Sequence, residues 1–400
     1  MIVGTAPCGV ATSQTAASSV RNDQVQLRDI FGSQTLDVQA VTDQTVGESH
    51  GSGNQYQATV EDQDTDVVSN QFALGNVTAD TRLNVVSNSG AVTSLNTTAV
   101  GNAGEVGVTG AVITSVLLQE TGPAAIRANS QITAPAGQAG DVDAYIQSQG
   151  NGQVITADHS TAGVRVIQTN GAAVTSDGGG VYAYIKGEAQ FQAVASANDL
   201  TYSGSNGSGA RLVTDQTNNA MQTLAAQFTA YGQVQDGKTI TNAVGNSVDA
   251  INQGFLMDAT ATQTNRSNVR SQASSSAATF GAISTDAHST GNNIVVGDLG
   301  GEVRLDSTQI NDGGVDAIAV TSAGEGYDAY ASASAAGNAV VGYACAECTG
   351  RMTITNNQTN SNDIGASTTT TSTGSARSVT GVANAVGNSA VYYVRKPGSN

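Results

Sequence analysis

A period of about 48 residues runs through almost the whole chain. Glutamine recurs at Gln24, Gln71, Gln119, Gln168, Gln216, Gln263, Gln309 and Gln358, with successive spacings of 47, 48, 49, 48, 47, 46 and 49. A Gly-Asn pair follows each glutamine by about 30 residues, its asparagine at Asn54, Asn102, Asn151, Asn246, Asn292, Asn338 and Asn388; the fourth unit has Ala197-Asn198 there. Two residues after the glutamine stands Asn170, Asn218, Asn265, Asn311 or Asn360 in five of the eight units. Three markers in phase define eight repeats, and repeats of this length form arrays in which each unit packs on its neighbours.

Composition narrows the kind of array. The chain has 47 glycines, no tryptophan, 4% aromatic residues and only 12% charged residues, against roughly 25% charged in ordinary domains. Such a chain must build its core from small side chains, regular backbone pairing and polar ladders. A formal net charge of -17 argues against nucleic acid, whose affinity comes mainly from Lys and Arg on phosphates, and against anionic membranes. No apolar run approaches the roughly 18 residues of a membrane span. The segment from Met1 to Ala11 lacks the basic start and long apolar stretch of a secretory signal. Because the composition favours export, we read this numbering as beginning after such a signal.

The local pattern is that of strands. From Ile240 to Asn252 one parity carries Ile240, Asn242, Val244, Asn246, Val248, Ala250 and Asn252, a period of two. The glutamines share their parity with aliphatic residues: Val164 and Val166 before Gln168, Val303 and Leu305 before Gln309, Met352 and Ile354 before Gln358. The sequence therefore predicts that Gln168, Gln216, Gln263, Gln309 and Gln358, with Asn170, Asn218, Asn265, Asn311 and Asn360, point inward. The same holds for the Gly-Asn asparagines Asn246, Asn292, Asn338 and Asn388. Buried amides need partners, and the same position one coil away supplies one.

The expected fold is all-β, a β-solenoid (parallel β-helix) of about eight 48-residue repeats over residues 23–394. A cap or disordered segment precedes it at 1–22 and a tail follows at 395–400. With about 30 residues from Gln to Gly-Asn and about 18 back to the next Gln, two coils per repeat is the expected arrangement. A string of β-sandwich domains needs roughly 100 residues per unit, and propeller blades of this length lack their aromatic anchors here. The terminal strand Ala390 to Val394 either closes the core or offers an edge for assembly.

Motifs for chemistry are sparse. Cys345-Ala346-Glu347-Cys348 is a C-x-x-C, read in an exported chain as a local disulfide between Cys345 and Cys348; Cys8 is either free or cross-linked. His50, His159 and His288 sit in three different repeats at unrelated offsets, with no nucleophile motif. The acidic run Glu61-Asp62-Gln63-Asp64-Thr65-Asp66 offers oxygen ligands that calcium would accept. We therefore expect no catalytic residues, no resident metal and no cofactor, calcium being the one ion the sequence leaves open. The glycine-rich stretches at 178–180 and 204–209 lack the lysine of a phosphate loop.

Low charge, a Gly/Ser/Thr/Asn/Gln-rich repeat and spaced Gln and Asn resemble surface proteins exported by the curli-type pathway. The Ala-Val-Gly-Asn-Ser motifs at 243–247 and 385–389 and the Gln-Thr-Asn motifs at 216–218 and 263–265 resemble the holdfast attachment protein D family. The unit is far longer than that of curlin and lacks its serine before the glutamine. The resemblance implies a cell-surface adhesin that anchors an extracellular adhesive polysaccharide, the holdfast, to the bacterial envelope, by assembling into fibres or binding them. It implies partners among other surface-anchor proteins and an outer-membrane secretion pore, and carries over no catalytic residue. On the residues alone two rivals stay open: an enzyme acting on surface polysaccharide from one solenoid face, and a subunit that stacks end to end.

Overall fold

The computed structural model describes residues 18–345 and 350–395, and it is all-β with parallel strands, a β-solenoid. Eight coils follow one another. The first three each use three strands: β1 (Ser18–Gln26), β2 (Ile30–Val41) and β3 (Gln44–Glu61); β4 (Thr65–Ala73), β5 (Val77–Ser89) and β6 (Val92–Thr109); β7 (Val112–Thr121), β8 (Ala125–Ala139) and β9 (Asp141–Asp158). In the next four the second and third strands fuse: β10 (Thr161–Asn170) with β11 (Ala173–Ser205), β12 (Gly209–Asn218) with β13 (Gln222–Asn252), β14 (Leu256–Asn265) with β15 (Asn268–Asp298), and β16 (Glu302–Asn311) with β17 (Val315–Cys345). The last coil splits again into β18 (Arg351–Asn360), β19 (Ile364–Ser372) and β20 (Ala376–Arg395).

Each repeat is one coil, not two. Gln168 pairs in register with Gln119 on one side and Gln216 on the other, and Asn198 with Asn151 and Asn246. The 48 residues are absorbed by a wide, flat cross-section. The short strand and the first half of the long strand form one layer. The chain folds back near Ile185–Glu188, where the register shifts, and the second half returns as the opposite layer. With coils about 4.8 Å apart, eight coils rise only on the order of 35 Å, while the twenty-odd residues of one layer run a contour of about 70 Å. The molecule is a broad block rather than a long rod.

The period-two pattern also breaks where the sequence reads as continuous. Thr241, Ala243 and Gly245 point inward, then Asn246, Val248, Ala250 and Asn252 do, so two adjacent residues are buried at Gly245-Asn246. Ile240, Asn242 and Val244 consequently face outward, opposite to the parity expected of them. Gly-Asn is a corner at which the returning layer stops facing the first half of the long strand and begins to face the short strand. Glycine is required by close approach: a Cβ on Gly291 would lie 2.6 Å from the Gly337 carbonyl oxygen and 2.5 Å from Asn311 Oδ1.

The core divides at this corner. Val166, Leu200, Leu212, Val248 and Val303 fill the side beside the short strands. The middle is lined by alanines such as Ala193, Ala243 and Ala333. The fold-back edge holds the few aromatics, with Phe191 and Tyr231 tilted at 6.3 Å between ring centres.

Three amide ladders run through this core. Gln168 Nε2 donates to Gln119 Oε1 (2.8 Å) and to the Asp199 carbonyl (2.9 Å). Asn198 Nδ2 donates to Asn246 Oδ1 (2.8 Å) and to the Thr217 carbonyl (3.0 Å). Both amide hydrogens are therefore used, and the carbonyl contact fixes which way each amide points. The carbonyls caught are those beside the corner asparagine and beside the next glutamine, so each ladder holds the backbone that carries the other. Gln216, Gln263, Gln309 and Gln358 repeat the first pattern. Asn246, Asn292 and Asn338 repeat the second, which ends on Asn388. Asn170, Asn218, Asn265, Asn311 and Asn360 form the third ladder, at 2.7 to 3.0 Å; it begins on Thr121 Oγ1.

Replacing Asn246 with Leu would orphan three buried groups, so guanidinium unfolding should show a loss of about 3 kcal/mol, at roughly 1 kcal/mol or more per orphaned group. The same change at Asn54, which lies at the end of its ladder, should cost about one-third as much.

Candidate binding surface

Inside the array the ladder residues are buried and committed to one another, with only those of the end coils, such as Gln358 and Asn388, partly or fully exposed, so chemistry directed at a partner along the array must sit on the outer faces. On the short-strand sheet, outward residues of the last four coils form columns: Thr217, Thr264, Ile310 and Thr359; Asp215, Thr262, Thr308 and Asn357; Val213, Thr260, Asp306 and Thr355. Parallel pairing repeats each column about every 4.8 Å, giving a face made mainly of threonine hydroxyls, with Asp215 and Asp306 among them.

The fold-back edge carries a concave site. A groove of about 400 Å³ crosses four coils and is lined by Glu188, Gln190, Asp236, Lys238, Asp328 and Tyr330, among others. Its residues occupy two neighbouring columns. Glu188, Asp236, Ala282 and Asp328 are in register in one, and Gln190, Lys238, Ser284 and Tyr330 in the other. Three carboxylates, an ammonium, an amide and a phenol thus stand at coil spacing along an open trough. Asp328 is held by Arg377, which donates to both carboxylate oxygens, and by Ser378 Oγ at 2.8 Å. These hydrogen bonds keep its carboxyl below the usual range. Arg377 also lies over the Tyr327 ring at 5.5 Å. The groove was not legible in the sequence, because the residues that line it lie about 48 apart and none belongs to a marker motif.

The other sequence candidates fall elsewhere. His50 and His288 are exposed in one column but five coils apart, and His159 occupies a turn beside Asp158 (3.4 Å). In the acidic run, Asp64 Oδ1 accepts from the Val112 amide of the next coil at 2.9 Å. Among the described residues no three His, Cys, Asp or Glu side chains gather as a metal-binding group. Cys345 ends β17, whereas Cys8 and Cys348 lie outside the described residues, and with them the expected disulfide. No helix among the described residues is long and apolar enough to cross a membrane.

Partly or fully buried acids form a separate feature. Asp199 accepts from Gln149 Nε2 at 3.2 Å. Burial, with the neighbouring Asp249 charge adding to it, pushes its carboxyl up to about 6, against a hydrogen bond from Ser247. Burial raises Asp249 and Asp298 as well; Asp298 nonetheless accepts from Asn252 Nδ2 and from the Gly300 and Gly301 amides. An acid raised in the folded state binds protons there before the unfolded chain does, so folding gains stability as pH falls from about 7 towards 5. Thermal midpoints should therefore rise over that interval, and Asp199→Asn should raise the midpoint at pH 7.5 while shrinking the gain on acidification.

Most of the polar groups buried in this solenoid serve its own stacking, and its outer faces are broad and polar. The chain belongs to the holdfast attachment protein D family, whose model matches residues 39–314. Membership carries a role in holdfast attachment, a structural task rather than a catalytic one, and a place at the cell surface or outside it. No curated protein and no solved structure matches the chain.

Proposed function

We propose that this protein is a non-enzymatic surface adhesin that anchors the extracellular holdfast polysaccharide to the bacterial envelope, with the fold-back groove and the hydroxyl face as its contact surfaces. The groove carries the reading. Its repeating carboxylates, Lys238 and Tyr330 offer acceptors, donors and an aromatic face along an open trough, which suits an extended sugar chain better than a small molecule. Many weak contacts repeated along rigid coils give avidity without a deep pocket. The fixed spacing also spares most of the ordering cost that binding otherwise carries. In this scheme the partners on the cell side are other surface-anchor proteins and an outer-membrane secretion pore. Calcium would serve at most to bridge exposed carboxylates to an acidic glycan.

Co-sedimentation with isolated cell-surface polysaccharide tests the proposal. The wild-type chain should pellet with it, and Tyr330→Ala combined with Asp236→Ala should weaken retention by roughly tenfold, the scale of one or two lost contacts. Equal retention would remove the groove from the binding surface. Shortening of the polysaccharide during incubation would replace the adhesin with an enzyme.

A further inference from the structure

Among the described residues the two ends of the solenoid are open and unlike. At one end β1, β2 and β3, and at the other β18, β19 and β20, are each paired on one side only among the described residues. Inward-facing positions that are covered in the middle coils lie exposed there, as at Val20, Ala383 and Ala385.

The ladders give the ends opposite chemistry. Glutamines donate towards the lower-numbered coil, from Gln71 to Gln24 through to Gln358 to Gln309. Corner asparagines donate the other way, from Asn54 to Asn102 through to Asn338 to Asn388. The last coil therefore presents a spare acceptor, Gln358 Oε1, and a spare donor, Asn388 Nδ2. Among the described residues the first coil presents a spare Gln24 Nε2 hydrogen and a spare acceptor, Asn54 Oδ1.

The spacing matches at every point that can be compared. Gln24 to Gln358, Ile30 to Ile364 and Asn54 to Asn388 all span 334 positions. A second copy stacked at that offset places amide over amide in both ladders and Ile364 over Ile30. Charge agrees. The first coil, residues 18–61, has two arginines and six acidic residues; the last, 351–395, has three arginines and one aspartate. In a chain of net charge -17, the last coil is thus a basic face opposite an acidic one. The same offset sets Arg377 over Asp43 and Arg395 over Glu61, while Asp363 falls over Asp29 as a single like-charge pair.

We propose that the protein stacks head to tail with a second copy of itself, β18, β19 and β20 of one copy pairing in parallel with β1, β2 and β3 of the next. Such a heterologous contact does not close on itself and propagates as a filament. Its repeat is one molecule, about 38 Å for eight coils at the usual strand spacing.

Analytical ultracentrifugation of the full chain without polysaccharide tests this independently of the groove. The wild-type chain should grow in mass with concentration, and electron microscopy should show stacks with that repeat. Arg395→Glu and Glu61→Arg change two exposed residues, so circular dichroism should be unaltered. Each variant alone should self-associate at least roughly tenfold more weakly. An equimolar mixture should recover assembly, because each variant's altered end fits the other's. A wild-type chain that stays single at hundreds of micromolar, variants that assemble like it, or a mixture that fails to recover would each overturn the proposal.

Discussion

The structure depends on the buried amide. A glutamine or asparagine in an apolar core is costly unless its donors and acceptor are all met. In the glutamine and corner-asparagine ladders the amide hydrogens are shared between the same residue one coil away and a backbone carbonyl, beside the corner for glutamine and beside the next glutamine for asparagine. The carbonyl contact matters as much as the ladder. At the Gly-Asn corner the strand skips a pairing position, Val244 to Asn246 in the register with β15, which frees backbone groups that water cannot reach. The amides Gln263 and Asn246 capture the carbonyls of Asn293 and Thr264. The glutamine ladder thus meets a carbonyl beside the bend, and the asparagine ladder ties the corner to the facing short strand.

From this follows the composition. Once ladders and backbone pairing carry the coils together, large apolar residues are needed only where the layers stand far apart. Near the corner the layers approach closely, and alanine and glycine line them; towards the fold-back edge they open, and Tyr182, Phe191, Tyr231 and Phe280 fill the space. A core of this kind leaves the outer faces free of structural duty. Threonine supplies β-propensity there, and the rows it forms are as regular as the coils.

Much of this was written in the sequence. The period, the all-β solenoid and its eight units rest on Gln and Gly-Asn spacing, which burial and pairing constrain. The coil count per repeat was not legible. Two coils of about 24 residues and one flat coil of about 48 put the same markers in the same phase, and only the pairing of Gln168 with Gln119 and Gln216 distinguishes them. The reversal of parity at Gly245-Asn246 was hidden for a related reason: Ile240 and Val244 are apolar yet face outward, so hydrophobicity alone continues the pattern straight through the corner. The groove depends on residues at corresponding positions of four coils, and such columns become neighbours only after the coil length is known.

One coil per repeat halves the reach of the molecule. Sixteen coils would have spanned on the order of 75 Å and eight span about 35 Å, less than the contour of one of its own layers. A single copy is thus a poor spacer between an envelope and an adhesive layer, but a broad one. In a repeat array, stability is a sum of units and of the interfaces between neighbours, so the first and last coils, each covered on one side among the described residues, are its weakest points under load. A pull along the axis would peel an end coil before it strained the middle, where every strand is paired on both sides. Covering an end with any matching surface removes that weak point, and the surface that matches best in register, in hydrogen-bond direction and in charge is the opposite end of the same molecule.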